Sequence, residues 1–251
     1  MEVTIALFVF AIIAGLIKGF SGFGLTLILV SVLFEMGFSA NEFLPIFVPL
    51  FVILDLILYF ENRKHLTLNF KENFTIHHVT IMTLFLGTMF GAYLLNVVDT
   101  SYLKLGLGIL IIVLLFMLVA KVDNEEMIIP DEKQNGFFGF FTGLLTGLFT
   151  MNGIPVTIYL MFHQYNKEKY MANLVTFLLF SDIILIAVYL FSDMFTLAGF
   201  IVSIKLVFMV LFGFFAGIFL RKFVSNKMFK GIVVFILMLS AVNMIFTFFF
   251  K

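Results

Sequence analysis

Apolar stretches long enough to cross a membrane follow one another along almost the whole chain. The hydrocarbon core of a bilayer is about 30 Å thick, so a spanning helix needs roughly 20 apolar residues. The apolar segments, separated by short polar stretches, are 3–34, 42–60, 76–95, 101–120, 136–163, 170–191, 195–220 and 228–250. This pattern predicts an all-α polytopic membrane protein.

Two of these segments are long for a single crossing, and each carries helix-breaking residues in its middle. Residues 3–34 contain the run Lys-Gly-Phe-Ser-Gly-Phe-Gly from position 18, and residues 136–163 contain Thr-Met-Asn-Gly-Ile-Pro from position 150. Closely spaced glycines should unwind a helix, while Asn is a natural N-cap and Pro suits a first helical turn. Each segment is therefore predicted to form two short helices joined by an irregular tip, either as a hairpin that returns to the same side or as two short full crossings.

The two halves of the chain carry similar markers in the same order. The matching positions lie 126 to 128 residues apart: Gly15 with Gly143, Gly19 with Gly147, Asp55 with Asp182, Gly87 with Gly213, Gly91 with Gly217 and Lys104 with Lys230. Small residues four apart also recur by chance, because they let membrane helices pack closely. The common order of the markers favours an internal duplication, as in transporters built from two repeats.

The distribution of Lys and Arg between the loops depends on how the long segments cross. If each crosses once, six fall on one side and seven on the other, which gives no orientation. If each enters and returns to the same side, eleven fall on one side and three on the other. Cytoplasmic loops carry the excess of Lys and Arg, so the second arrangement is favoured. It predicts inverted repeats with both termini outside.

These patterns predict two repeats, each with a Gly-broken helical hairpin and three transmembrane helices. Residues 1–120 form the first repeat, residues 121–135 an acidic cytoplasmic linker, and residues 136–251 the second repeat. The first repeat holds the broken segment 3–34 and helices 42–60, 76–95 and 101–120; the second holds the broken segment 136–163 and helices 170–191, 195–220 and 228–250.

Composition narrows the function. Hydrophobic residues make up 63% of the chain and charged residues 12%, with a mean hydropathy of +1.18 and no cysteine. These values exclude a water-soluble enzyme, a nucleic-acid binder and a cysteine-based metal site, and we expect no cofactor and no metal. The sequence has neither a phosphate-binding loop nor the motif of a metalloprotease or serine hydrolase, so a gradient-driven transporter is favoured over an enzyme.

The broken tips are the candidate substrate site. Irregular backbone at membrane depth is tolerated only where protein or a water-filled cavity covers it. Two helix N-termini that converge there would offer N–H groups and partial positive charge to a small anion. The substrate-binding candidates in and around the tips are Lys18, Gly19, Ser21, Gly22, Gly24, Asn152, Gly153, Pro155 and Asn173. Ser21 and Asn152 would cap the helices or bind the oxygens of an anion, and the glycines would allow close approach.

Several of these residues have two interpretations. Lys18 is either an anion-attracting ammonium or a lysine at a helix C-terminus that extends toward the membrane surface. Asp55 and Asp182 are either acids that couple transport to a proton or cation, or structural acids bonded to backbone or to the tips. Asn173 either lines the cavity or bonds between helices.

The glycine motifs resemble those of a known family. The run from Gly15 to Gly24 is similar to the opening motif of the TauE/SafE family of sulfite exporters. The run from Gly139 to Gly147, followed by Asn-Gly-Ile-Pro at 152–155, is similar to its second motif, and the likeness continues through Tyr159, Lys169, Asn173 and Phe177. The family's first cluster is denser in glycine where Phe20 and Phe23 stand here, and its second motif commonly reads Gly-Gly-Pro. These departures leave the exact anion open.

The resemblance implies export of sulfite or a related small organosulfur anion across the bacterial inner membrane, and the repeats suggest alternating access. Another cargo, such as a carboxylate or a cation-coupled solute, and a passive anion channel are the alternatives. The expected partners are the small anion, the lipid bilayer and a coupling proton or cation, with no nucleic acid. The oligomeric state is open, with a homodimer as one option.

Overall fold

The computed structural model describes residues 5–26, 28–29, 40–66, 78–97, 132–161, 165–191 and 197–249, with scattered residues between 102 and 116. Within these residues every regular element is a helix, which confirms the all-helical class. The elements are α1 (Ile5–Ser21), α2 (Ala40–Asn62), a 3₁₀ turn (Arg63–His65), α3 (His78–Val97), α4 (Glu132–Phe149), α5 (Gly153–Met161), α6 (Lys167–Phe191), α7 (Leu197–Arg221) and α8 (Asn226–Phe249).

Some predicted boundaries differ from the observed ones or cannot be compared with them. Most of the predicted linker, 121–131, lies outside the described residues, and α4 begins at Glu132, within the predicted linker. Of the predicted helix 101–120 only scattered positions are described, and these are helical. Helix α6 starts at Lys167, before the predicted start at residue 170, because Asn166 accepts a hydrogen bond from the Lys169 N–H at 2.9 Å and caps the helix there.

Three stretches in the described part of the chain are long and apolar enough to cross a membrane: His78–Leu95, Lys167–Phe191 and Asn226–Asn243. Shorter apolar helices occupy Leu7–Ser21, Gly136–Phe149 and Leu206–Arg221. Many large apolar side chains lie on the outer surface, among them Phe208, Phe212 and Phe235. An exterior of this kind is suited to lipid tails, since in water it would be a large unpartnered apolar patch.

Helices α1 and α7 run side by side in the same direction and touch through glycines. A Cβ atom added at Gly15 would lie 2.1 Å from the carbonyl oxygen of Val210, and one added at Gly213 would lie 1.9 Å from that of Ile12. Gly19 and Gly217 make equally close approaches one turn further along. The two backbones are therefore in direct contact, as small residues allow between membrane helices.

Helices α3 and α4 repeat this arrangement. A Cβ atom added at Gly87 would lie 2.1 Å from the carbonyl oxygen of Phe140, and one added at Gly143 would lie 2.1 Å from that of Leu84. Gly91 and Gly147 continue the contact by one turn. The glycines that match between the two halves of the sequence thus occupy the same places in two similar helix pairs, each of which joins one half to the other.

Candidate functional site

Both helix interruptions are sharp and local. Helix α1 ends at Ser21, and Gly22 and Gly24 take φ angles of +85° and +95° before helical conformation resumes at Leu25. Positive φ is readily available only to glycine, so the sequence at this point requires the break. Helix α4 ends at Phe149, and Thr150 has a φ of 54° before α5 starts at Gly153.

The two breaks lie against each other. The Thr26 hydroxyl donates a hydrogen bond to the Thr150 carbonyl at 3.1 Å, across the junction of the two halves. A Cβ atom added at Gly153 would lie 2.4 Å from the Cβ of Phe23, so the start of α5 is packed directly on the first break. This contact brings the two predicted tips to one place.

Four polar side chains form a bridge between the breaks through α2 and α6. The Lys18 ammonium lies 2.6 Å from the Asp55 Oδ1, and both side chains are buried. The Asn152 Nδ2 donates to the Asp182 Oδ1 at 2.9 Å. The carboxyl groups of Asp55 and Asp182 lie close enough to influence each other's charge. We call this chain, Lys18–Asp55–Asp182–Asn152, the polar bridge.

The polar bridge carries one positive group and two acidic groups. With both acids ionised it has a net charge of −1, which is expensive in a buried site. Two carboxylates cannot hydrogen-bond without a proton between them, and in the described residues no donor reaches the Asp182 Oδ2. One additional positive charge would therefore neutralise the bridge and could supply the missing donor.

A small cavity lies between the breaks. It is lined by Lys18, Phe51 and residues 23–26 and 150–154, and its volume is about 20 Å³. A water molecule needs roughly 10–15 Å³ by this measure, so the cavity holds about one water and is too small for a polyatomic anion.

The candidate residues fall into two groups. Lys18, Gly24, Asn152 and Gly153 line the cavity. Ser21 does not: its hydroxyl lies 2.7 Å from the Ile17 carbonyl and 3.0 Å from the Phe23 carbonyl, so it stabilises the backbone of its own break.

The remaining candidates face protein. Gly19 approaches the backbone of α7 at Phe214, and Gly22 faces side chains of α6. Pro155 is buried in the first turn of α5. Asn173 donates to the Lys169 carbonyl at 2.8 Å within its own helix. Thr26, Phe51 and Thr150 line the cavity and were not predicted; only the position of Thr150 at the second break could have indicated it.

Over residues 7–244, the sequence matches the family described as Sulfite exporter TauE/SafE. The chain belongs to this family. No curated protein and no solved structure gives a match. The family assignment made from the glycine motifs is confirmed, and the TauE/SafE chain is a multi-pass membrane transporter and not an enzyme. The matched region includes both breaks and the whole polar bridge.

The TauE/SafE chain has a second, larger cavity at one end, where the 3₁₀ turn, the start of α6 and the end of α7 come together. Its volume is about 310 Å³. The Lys167 ammonium closes one wall by donating to the carbonyls of Arg221 at 3.1 Å and Val224 at 2.7 Å. Residues 61–65 and 167–168, which the sequence assigns to cytoplasmic loops or their edges, thus lie at the same end of the molecule.

Proposed function

We propose that this TauE/SafE transporter exports sulfite or a related small organosulfur anion across the bacterial inner membrane by alternating access. The observation that carries this proposal is the lining of the small cavity between the breaks, which we call the central cavity. The Lys18 ammonium and the first turn of α5 both border it. The first N–H groups of a helix have no partner within the helix and lie at the positive end of its dipole. The helix end attracts an anion directly, and the Lys18 ammonium does so once the charge of Asp55 is neutralised by a proton or a second cation.

The arrangement of the helices supports a mechanism with two inverted repeats, residues 1–120 and 136–251, joined by the linker 121–135. The equivalent glycines form two similar helix pairs, and the equivalent acids Asp55 and Asp182 meet at the centre. In transporters of this kind, one repeat rocks against the other around the broken helices. The cavity of about 20 Å³ is too small for the anion, so the breaks must move apart during transport.

The driving force needs no nucleotide. A membrane potential contributes about 2.3 kcal/mol per charge per 100 mV, so a dianion that leaves a negative interior gains about 4.6 kcal/mol at 100 mV. The polar bridge lacks one positive charge when both acids are ionised, which favours a coupling role for Asp55 and Asp182, with a proton or a cation as the second solute. The same cavity chemistry would suit a small carboxylate, which is the alternative cargo.

The test is uptake into proteoliposomes that contain the purified protein, with a panel of labelled anions and imposed voltage and pH gradients. We expect saturable movement of sulfite or a sulfonate that follows the voltage and exceeds that of carboxylates. Ohmic currents without saturation would show a passive channel instead. Movement of carboxylates alone would assign the other cargo.

The predicted topology can be checked with single cysteines, because the natural chain has none. We expect His65→Cys and Asn166→Cys to react with an impermeant maleimide only in inside-out vesicles. Phe191→Cys, at the opposite end of α6 and 90% exposed, should react only in right-side-out vesicles. Reaction of His65→Cys and Asn166→Cys from opposite sides would contradict the topology, and a reversal of all three would contradict the orientation.

A further inference from the structure

The cavity at the end of the molecule has an excess of positive charge. We call it the basic cavity; its charged lining consists of Lys64, Lys167, Arg221, Lys222, Glu61 and Glu168. Four cationic and two anionic groups leave a surplus of two positive charges, without counting His65. A concave basic surface concentrates anions from solution and speeds their association.

Arg221 is the buried member of this group. Its Nη2 donates to the Glu61 Oε2 at 2.9 Å, and its Nη1 donates to the Gly19 carbonyl at 3.3 Å. The residue is only 6% exposed although it lines the cavity. A guanidinium has five N–H donors in a planar fork that fits the oxygens of a carboxylate or another oxyanion. Arg221 therefore holds a carboxylate in the position that a bound oxyanion would take.

The same residue contacts the two elements that carry the central ion pair. Gly19 directly follows Lys18 in α1, and Glu61 lies six residues after Asp55 in α2, which is about 9 Å along a helix axis. A change in the Arg221–Glu61 contact would thus act on the ends of both helices, close to the central cavity. Arg221 therefore lines the basic cavity and also contacts the helices that carry Lys18 and Asp55.

We infer that the basic cavity is a second binding site for a small oxyanion, which the anion occupies before it reaches the central cavity. There the anion competes with Glu61 for the Arg221 guanidinium. The inference rests on the proposed function only in taking this anion to be the transported one. Lys167 is occupied by backbone carbonyls and shapes the wall. Lys64 and Lys222 are exposed and attract the anion.

The experiment uses the full-length chain in nanodiscs of zwitterionic lipid, with a single environment-sensitive fluorophore on Phe223→Cys. This position neighbours Lys222 and is 72% exposed. Sulfite is the titrant, and the same fluorophore on Phe191→Cys at the other end of α6 reports any effect remote from the cavity. We expect a saturable response at position 223 and none at position 191.

One variant distinguishes competition from a purely structural role of Arg221, and a matched pair tests the charge of the cavity. Glu61→Gln removes the competing carboxylate and leaves the Arg221 guanidinium with a weaker, neutral partner, so we expect sulfite to bind about tenfold more tightly. Lys222→Gln should weaken binding several-fold, and Lys227→Gln, the same charge change at a neighbouring exposed position outside the cavity, should not. Unchanged or weaker binding in Glu61→Gln would overturn the proposal, because a structural contact predicts a loss.

A lipid headgroup presents the same oxyanion chemistry as free sulfite. Nanodiscs with anionic lipid separate the two sources: an unchanged sulfite titration supports the proposal, whereas a response to the lipid that sulfite cannot displace would overturn it.

The outcomes for the two sites are also distinguishable. If no anion is transported but sulfite still binds more tightly in Glu61→Gln, as reported at position 223, the basic cavity is a binding site and the proposed function is wrong. If an anion is transported but position 223 gives no response, the proposed function holds and the basic cavity is not a binding site.

Discussion

Replacing Gly153 with alanine is expected to reduce transport at least tenfold, down to the level of liposomes without protein. The added Cβ would lie 2.4 Å from the Cβ of Phe23, a distance that real Cβ atoms do not adopt. Because Phe23 is buried, with 2% of its surface exposed, it cannot simply turn aside. The two breaks would have to separate, and the start of α5 would lose its position beside Lys18.

The control for this variant is Gly231→Ala. Gly231 lies in α8, and a Cβ added there would meet no heavy atom within 4 Å. It makes the same chemical change in a helix with no steric conflict, so we expect transport and expression to stay at the level of the natural chain. Transport by Gly153→Ala at this level as well would show that close contact between the breaks is not needed.

A double variant separates the contact from general damage. Phe23→Gly removes the two nearest atoms, and the next atom, its Cα, lies 3.5 Å from the added Cβ, an ordinary contact. Phe23→Gly alone should lower the stability, since truncation of a buried Phe costs about 3–5 kcal/mol. We expect Gly153→Ala to have little further effect in that background. Such non-additivity is the mark of two residues in contact.

The positions of the breaks were predictable because their causes are local. Gly22 and Gly24 adopt positive φ angles that other residues avoid, and Pro155 stands in the first turn of α5. The partner of Lys18 was not predictable in this way. The matching glycines of the two halves give no counterpart: Thr146 precedes Gly147 as Lys18 precedes Gly19, and Thr146 is a neutral residue hydrogen-bonded to Ser181.

Side-chain direction explains the other differences. Asn173 bonds to the carbonyl one turn before it, which depends on its rotamer and not on its place in the sequence. Arg221 is one of the eleven Lys and Arg residues that the favoured topology places on one side, and the sequence pattern predicts no other role for it. A better signal was present, because Arg221 lies four residues after Gly217 and so on the face of α7 that packs on α1. A basic residue on that face, at the helix end, is placed to reach the end of α1.

The second large effect is expected for Lys18→Met, which removes the only cation of the polar bridge. Asp55 and Asp182 would then remain buried together without a counter-charge. Loss of one partner of a buried ion pair costs about 3–5 kcal/mol, so we expect a clearly lower thermal transition by circular dichroism in detergent. Lys227→Met, an exposed lysine at the start of α8, is the control and should leave the transition unchanged.

The variant Lys18→Met/Asp55→Asn distinguishes a structural lysine from one that binds the anion. Removing both charges of a buried pair is far less costly than removing one, so most of the stability should return. Sulfite binding should not return, because the ammonium that borders the cavity with the first turn of α5 is still missing. Binding is the readout, because loss of transport would also follow from the removal of Asp55 as a coupling acid. If the double variant regained both stability and transport, Lys18 would serve only to neutralise Asp55, and the anion would be bound by the helix end alone.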